Sequence, residues 1–94
     1  MKPAMQSFEW DEAKGDECLA NRGFDFAYAT RLFDGEVFVR LDDRNAYGEV
    51  RQQAIGYIDG LLFVVIYTLR AGVCRFISAR RAHLEEWSKW QKSR

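Results

Sequence analysis

Arginines are the residues of this chain best suited to chemistry, and several of them cluster near its end. The segment Arg75-Phe76-Ile77-Ser78-Ala79-Arg80-Arg81-Ala82 has the pattern of an apolar strand followed by paired arginines, and Glu49-Val50-Arg51 places a carboxylate beside a guanidinium. The planar guanidinium group matches the geometry of a phosphate, and its high pKa suits it to stabilising charge. These residues predict a phosphate-binding site in which a glutamate or the histidine would carry protons.

Each of these arginines also has a structural interpretation. In a regular strand Arg75 and Arg80 project to opposite faces, so they converge only if a bulge or the strand end re-aims one of them. Arg75 suits a structural ion pair as well as a phosphate contact. Arg80, at the predicted junction of a strand and the last helix, favours a functional role. Glu49 and Arg51 share a face, which is also common for a solvated pair at a strand edge.

The large aromatic residues and the single histidine are the second group of candidates. Trp10 precedes the first predicted helix, and Trp90 lies near the basic chain end, where aromatic rings beside cations can stack on unpaired bases. Trp87 has the helical spacing of a core residue. His83 and Arg81, at the start of the last predicted helix, are further candidates for contact with RNA, and His83 is also a candidate proton carrier.

The usual motifs of phosphoryl and acyl transfer are absent from the sequence. It has no P-loop, no G-x-S-x-G and no metal-ligand spacing, and we expect neither a metal nor a cofactor. Cys18 and Cys74 are far apart in sequence, and one histidine with two distant cysteines does not form a closed zinc site. We expect two reduced, partly buried thiols.

Size and composition predict a single domain over residues 1–94 with a modest core. No apolar run approaches the roughly 20 residues that span a bilayer, and the N-terminus lacks a signal-peptide core, so we expect a cytoplasmic protein with no membrane contact. The net charge is zero, but residues 1–69 carry 7 Lys/Arg against 12 Asp/Glu, whereas residues 70–94 carry 7 against 2. A basic C-terminal part is typical of proteins that contact an anion or an acidic partner.

The periodicity predicts an α+β fold with helices segregated onto an antiparallel sheet. A short strand at Phe8-Glu9-Trp10 precedes a helix that begins at the N-cap Asp11 and ends near Arg22, before Gly23. A second helix begins after Asp25 and ends at Asp34-Gly35. A four-stranded meander and a C-terminal helix follow, with the strands at 37–41, 50–58, 61–67 and 73–79, a hairpin at Asp59-Gly60, a polar loop from Asp42 to Gly48 and the helix at about 81–92.

Taken in order, these motifs resemble the BrnT toxins of type II toxin–antitoxin pairs. The resemblance runs from Phe8 to Trp90. It rests on F-x-W-D-x-x-K, a helix stopped by glycine, L-F-D at a helix end, E-x-R, an apolar central strand, R-x-I-S-A-R-x-A and a glutamate in the last helix. These are Phe8, Trp10, Asp11 and Lys14; Gly23; Leu32-Phe33-Asp34; Glu49 and Arg51; Leu62 to Tyr67; Arg75, Ile77, Ser78, Ala79, Arg80 and Ala82; and Glu86.

The resemblance implies a RelE-like fold and a small ribonuclease that inhibits translation and is neutralised by an antitoxin encoded beside it. A heterotetramer with that antitoxin, and contact with DNA only through it, are further implications. The family's polar positions fall on Lys14, Glu49, Arg51, Arg75 and Arg80, with Trp10 and Asp11 shaping the same edge. Where the family usually has Lys-His-Gly, this chain has Asn21-Arg22-Gly23, so Arg22 would act as a charge only.

Two functions of different classes follow from the same residues. In the first, RNA is cleaved without metal: the arginines stabilise phosphate charge, and Glu49 or Lys14 handles protons. In the second, the basic part of the chain forms a non-catalytic module that binds RNA or an antitoxin. A regulator unrelated to nucleic acid is a third possibility.

Overall fold

The computed structural model describes residues 7–42 and 48–92, without the side chains of residues 91 and 92. Five strands form one sheet in the order β1-β5-β4-β3-β2. Strands β2 to β5 are the predicted antiparallel meander, and β1 adds a parallel edge beside β5. The strands are β1 (Ser7–Trp10), β2 (Val37–Leu41), β3 (Gln52–Ile58), β4 (Leu61–Arg70) and β5 (Val73–Arg81). The α+β prediction is confirmed, while its RelE-like detail stays a prediction.

The first two helices begin and end where the capping residues indicate. Helix α1 (Glu12–Arg22) starts after Asp11, whose side chain accepts a hydrogen bond from the backbone N–H of Lys14, and it ends at Gly23 with φ of 81°. Helix α2 (Phe26–Ala29) is capped in the same way by Asp25 and continues as a 3₁₀ helix over Thr30–Asp34. No helix within the described ranges is long and apolar enough to cross a membrane.

The C-terminal boundaries differ from the prediction. Strand β5 continues to Arg81, and helix α3 spans Leu84–Lys92, so Arg80 lies within a strand and not at a strand-to-helix junction. Strand β3 begins at Gln52, two residues later than predicted. The predicted polar loop from Asp42 to Gly48 falls mostly outside the described residues.

The helices pack on both faces of the sheet, not on one. On the first face α1, α2 and the 3₁₀ helix cover an aromatic core built around Phe26, Phe33, Phe63, Tyr67 and Phe76. On the second face α3 covers a smaller cluster that includes Ile55, Leu62, Val64, Trp87 and Trp90. The sheet is therefore the middle layer, and among the described residues α3 packs on only part of the second face.

A β-bulge in β5 decides which face each of its side chains occupies. The β4–β5 register pairs Tyr67 with Phe76 but Ile66 with Ser78, so Ile77 is an extra residue without a partner. Because one residue is added, Arg75 and Arg80 project to the same face although five positions separate them. The bulge that would allow the two arginines to share a face is present.

Both cysteines are buried and free, as predicted. Burial raises the pKa of the Cys74 thiol to about 12, and it also raises the pKa of Cys18. Neither thiol is therefore poised as a nucleophile at neutral pH.

The close approach of β3 to the start of β2 depends on a glycine. A Cβ atom added to Gly56 would lie 2.8 Å from the backbone oxygen of Glu36 and 3.1 Å from Cδ1 of Leu32. We expect Gly56→Ala to lower the free energy of unfolding by about 1–3 kcal/mol, because the backbone must shift to relieve the overlap. Thermal and urea unfolding measure the change.

The control is Gly35→Ala, where nothing lies within 4 Å of the added Cβ and φ is −110°. We expect this variant to stay within about 0.5 kcal/mol of the parent protein. Equal stability of the two variants would contradict the packing explanation.

Candidate functional site

Beside the cluster that α3 covers, the second sheet face carries most of the candidate arginines. We call this part the open face, because its arginine side chains are partly or fully exposed, whereas Gln53 and Thr68 between them are buried. It comprises Glu9, Arg40, Arg51, Gln53, Thr68, Arg75, Ser78 and Arg80. The register arranges these residues in rows that cross the sheet. The outer row runs Glu9, Arg75, Thr68; the middle row runs Ser78, Ile66, Gln53, Arg40; the inner row runs Arg80, Val64, Ile55, Phe38 and meets α3.

Arg51 extends the outer row. The Thr68 hydroxyl donates a 2.7 Å hydrogen bond to the backbone oxygen of Val50, which keeps Arg51 beside Thr68 although β3 begins only at Gln52. Arg75 and Arg51 thus flank Thr68 from two strands that lie on either side of β4. The strand spacing places their Cα atoms about 10 Å apart, a distance that two arginine side chains can close around one phosphate.

The outer-row Arg75 is held by a carboxylate from the N-terminal strand. Its Nη1 donates to Oε2 of Glu9 at 3.1 Å, because parallel pairing places Glu9 directly beside it. About a third of the Arg75 side chain and nearly half of the Glu9 side chain remain exposed. This is the ion pair that the sequence allowed as one of two interpretations of Arg75.

Arg80 makes a two-pronged ion pair with Glu86 in the first turn of α3. The two Arg80 Nη atoms donate to the two carboxylate oxygens of Glu86 at 2.8 and 2.6 Å. The hydrogen bonds from Arg80 lower the pKa of Glu86. Helix α3 and strand β5 are joined at the edge of the open face by this contact.

Glu49 accepts hydrogen bonds from two arginines. Nε of Arg51 lies 3.1 Å from its Oε2, and Nη2 of Arg70 lies 3.0 Å from its Oε1. The hydrogen bonds from Arg70 and then Arg51 lower the pKa of Glu49, so its carboxylate is ionised at neutral pH.

Arg80 does not turn toward Arg51 and Glu49 in this structure. Arg80 lies opposite Val64 and Arg51 lies beside Thr68, four residues further along β4, which corresponds to about 13 Å along the strand. The bulge gives the two arginines a common face, but Glu86 draws Arg80 toward α3. The three candidate arginines of the open face therefore lie in two places, with Arg75 and Arg51 together and Arg80 apart.

Trp90 is buried and does not offer a free ring surface. It is 5% exposed, and the Arg40 guanidinium lies over its ring at 3.9 Å from the centroid. Nε of Arg40 also donates to Gln53 at 3.1 Å, and Gln53 donates to Asp42. This packing contradicts the prediction that Trp90 stacks on RNA: the ring anchors α3 to the sheet.

The remaining predicted residues lie away from the open face. Trp10 packs against Phe26 and Phe76 on the first sheet face, and Arg81 lies over the Phe63 ring on that same face. His83 is exposed, and its backbone oxygen accepts hydrogen bonds from the first turn of α3.

Lys14 lies in a cleft between α1 and the edge of β5. The cleft has a volume of about 250 Å³. Its lining includes Lys14, Glu17, Asn21 and Arg22 from α1 and Ile77, Ser78 and Ala79 from β5. Nη1 of Arg22 donates to the backbone oxygen of Ala79, which lies beyond the end of β1 and so lacks a strand partner on that side. Arg22 therefore caps the open edge of the sheet.

Sequence reasoning missed four contributors to the open face, namely Glu9, Arg40, Gln53 and Thr68. Arg40 and Gln53 alternate correctly within their strands, so their face follows once the β2–β3 register is known. Nothing local to Phe8-Glu9-Trp10 indicates a parallel partner 66 residues away. Within the described part of the chain, no group of three or more His, Cys, Asp or Glu residues could hold a metal ion.

Comparison with known proteins agrees with the resemblance seen in the motifs. The sequence model of the family described as "Ribonuclease toxin, BrnT, of type II toxin-antitoxin system" matches residues 10–86. The 1.1 Å crystal structure of the Brucella abortus ribonuclease toxin BrnT superposes with a TM-score of 0.59 and 27% identity, over 82% of this chain and 96% of that one. No curated protein matches the chain significantly. The matched segment runs from the last residue of β1 to the first turn of α3, and the chain belongs to the BrnT family of ribonuclease toxins.

Proposed function

We propose that this protein is an endoribonuclease toxin that binds and cleaves single-stranded RNA on the open face. The observation that supports it most is the bulge at Ile77, which gives Arg75 and Arg80 a common face with Arg51. The family relationship supports the same reaction class. Three of the guanidinium groups on this partly exposed sheet face, those of Arg51, Arg75 and Arg80, suit the charge that phosphoryl transfer builds on phosphate oxygens.

The proposed reaction uses the 2′-hydroxyl of the RNA as its nucleophile. That oxygen attacks the adjacent phosphorus and the bond to the 5′-oxygen breaks, leaving a 2′,3′-cyclic phosphate and a 5′-hydroxyl. Arg75 and Arg51 would stabilise the charge on the non-bridging oxygens, and Arg80 would hold a neighbouring phosphate. Glu49, ionised at neutral pH, and Lys14 are our candidates for accepting and supplying protons.

RNA must replace carboxylates that already occupy these arginines. Arg75 is paired with Glu9 and Arg80 with Glu86, in pairs whose side chains are 26–46% exposed. Ion pairs of this kind contribute only about 0–1 kcal/mol, because solvent screens them. A phosphate carrying its own negative charge can therefore exchange with Glu9 or Glu86 at low cost.

Arg80→Ala should abolish RNA cleavage and growth arrest while leaving the fold intact. Arg31→Ala is the matched control, since Arg31 also makes a bidentate pair, with Asp59, but lies on the opposite side of the sheet. We expect a loss of at least about 100-fold in cleavage rate for Arg80→Ala, as for removal of one transition-state donor, and no loss for Arg31→Ala. Arg80→Lys should recover only part of the rate, because lysine lacks the planar fork.

Gel analysis of purified protein with RNA, with and without EDTA, measures these rates. We expect cleavage in both conditions, with cyclic phosphate ends. An Arg80→Ala protein that cleaves at the original rate would contradict the assignment. Salt-dependent binding without any cleavage would favour the non-catalytic module instead.

The strength of the Arg80–Glu86 pair can be tested by pH. Because the folded-state pKa of Glu86 is lowered, the pair's stabilisation is fully present above the unfolded carboxyl pKa of about 4.3 and is lost as the pH falls through the folded pKa. Unfolding free energies of the parent protein and Glu86→Gln should differ by about 0.2–1 kcal/mol at pH 7 and converge toward pH 3. Glu85→Gln, in the same helical turn, is the control. A difference that does not change with pH would show that Glu86 stabilises by packing alone.

We also propose that an antitoxin encoded beside this chain neutralises it, with DNA contacted only through the antitoxin and the pair assembling as a heterotetramer. Type II membership supports this proposal. Induction of the toxin alone should arrest growth and translation, and co-expression of the neighbouring open reading frame should restore both. Arrest that persists with the neighbour, although both proteins accumulate, would count against it.

A further inference from the structure

We propose that the cleft between α1 and the edge of β5 binds one nucleobase of the RNA next to the scissile phosphate, and that it prefers a base with an exocyclic amino group over uracil. The inference rests on the proposed function, since it assigns a specificity subsite to the same RNA. It concerns Glu17, which no motif had named, and Asn21, which stands at the first position of the segment where the family usually has Lys-His-Gly.

The cleft exists because β1 is shorter than the strand it pairs with. The β1–β5 register ends at Trp10 opposite Phe76, while β5 continues to Arg81. Helix α1 passes over the edge that is left without a strand, and a space of about 250 Å³ remains between them. This volume is below the range of drug-sized ligand pockets, so it suits a single planar group.

One stripe of α1 supplies the polar lining of the cleft. Lys14, Glu17 and Asn21 recur at i, i+3 and i+7, and the three side chains lie on the same side of the helix. All three are exposed, and none of the three has a side-chain hydrogen bond or ion pair with any residue in the described ranges. The cleft thus differs from the open face, where Arg75 and Arg80 already hold carboxylates.

The chemistry of these groups matches the edge of a base. An ionised carboxylate only accepts hydrogen bonds, so Glu17 favours an exocyclic amino group, which adenine, cytosine and guanine carry. Uracil offers only its ring N3–H, and the two carbonyl oxygens beside that donor repel the carboxylate. The amide of Asn21 both donates and accepts and would contact the adjacent ring positions. Cys18, Phe26 and Ile77 give the cleft an apolar wall for the ring, and Lys14 is placed to contact a flanking phosphate.

The cleft and the open face share a wall. Ser78 lines the cleft and also belongs to the middle row of the open face, between Arg75 and Arg80 on β5. A strand of RNA whose phosphate lies on the open face can therefore turn one neighbouring base over the β5 edge into the cleft. Single-stranded RNA is recognised in this way, by splayed bases read along their edges.

The test measures base preference in Glu17→Gln and Asn21→Ala. A pool of RNA oligonucleotides randomised around the cut is digested, and the sequenced 5′-hydroxyl ends give the preference at each flanking position. At one position next to the cut, the ratio of cleavage at amino-bearing bases to cleavage at uracil should fall about 10-fold in either variant. The control is Asp16→Asn, which alters an exposed carboxylate of the same helix outside the cleft and should keep the parent profile.

A binding measurement separates this inference from the proposed reaction. The Arg80→Ala background is titrated with adenine- and uracil-containing oligonucleotides, with and without Glu17→Gln. A preference that disappears with Glu17→Gln supports the subsite even if the parent protein proves unable to cleave RNA. Unchanged preference in both assays overturns the subsite while leaving cleavage on the open face intact. Unchanged RNA preference combined with weaker antitoxin binding would assign the cleft to the protein partner and would also overturn it.

Discussion

The extra residue in β5 is the constraint on which the rest of this structure depends. Strand β5 places Cys74, Phe76 and Ala79 in the aromatic core. Phe76 and Ala79 are three residues apart, so in a regular strand their side chains would lie on opposite faces. Ile77 absorbs the difference by lacking a partner on β4. The bulge therefore has two results, because it shifts the alternation of the side chains after it by one residue. It places Ala79 in the core with Phe76, and it gives Arg75 and Arg80 a common face.

Along the edge of β5, the bulge lies at the boundary between the part paired with β1 and the part that lines the cleft. Strand β1 pairs with β5 only up to Phe76, immediately before the bulge, and beyond it the edge carbonyl of Ala79 is satisfied by Arg22. A longer β1 would cover this edge and close the cleft. Gly15 lets α1 pack closely on Trp10 at the end of β1. A Cβ atom at this position would lie 3.2 Å from the Trp10 ring and would push the helix away from the strand.

Local signals in the sequence predicted the elements well, and long-range pairing accounts for what they missed. Asp11, Gly23 and Asp25 cap helices as expected, and the Asp59-Gly60 turn has φ of 51° and 78°, as a two-residue hairpin turn requires. The position of the bulge could not be predicted from the alternation of apolar and polar residues, because Ile77 is an ordinary strand residue by type. For the candidate site, the arginines could be identified from sequence, but the carboxylates that hold them come from elsewhere in the chain, as Glu9 does for Arg75. The helical spacing of Trp90 fits the interior position the structure gives it better than a stacking role.

The uneven charge along the sequence is partly compensated once the chain folds. The basic C-terminal part meets acidic residues of the N-terminal part, with Arg75 on Glu9 and Arg70 on Glu49. An uncompensated cluster of arginines would repel itself and destabilise the compact state. Screened pairs with exposed carboxylates remove that cost and leave the guanidinium groups in place, and each pair is weak enough for a polyanion to replace the carboxylate. A phosphate-binding surface can therefore be nearly neutral when free, so a pI of 6.6 gives no indication against an RNA substrate.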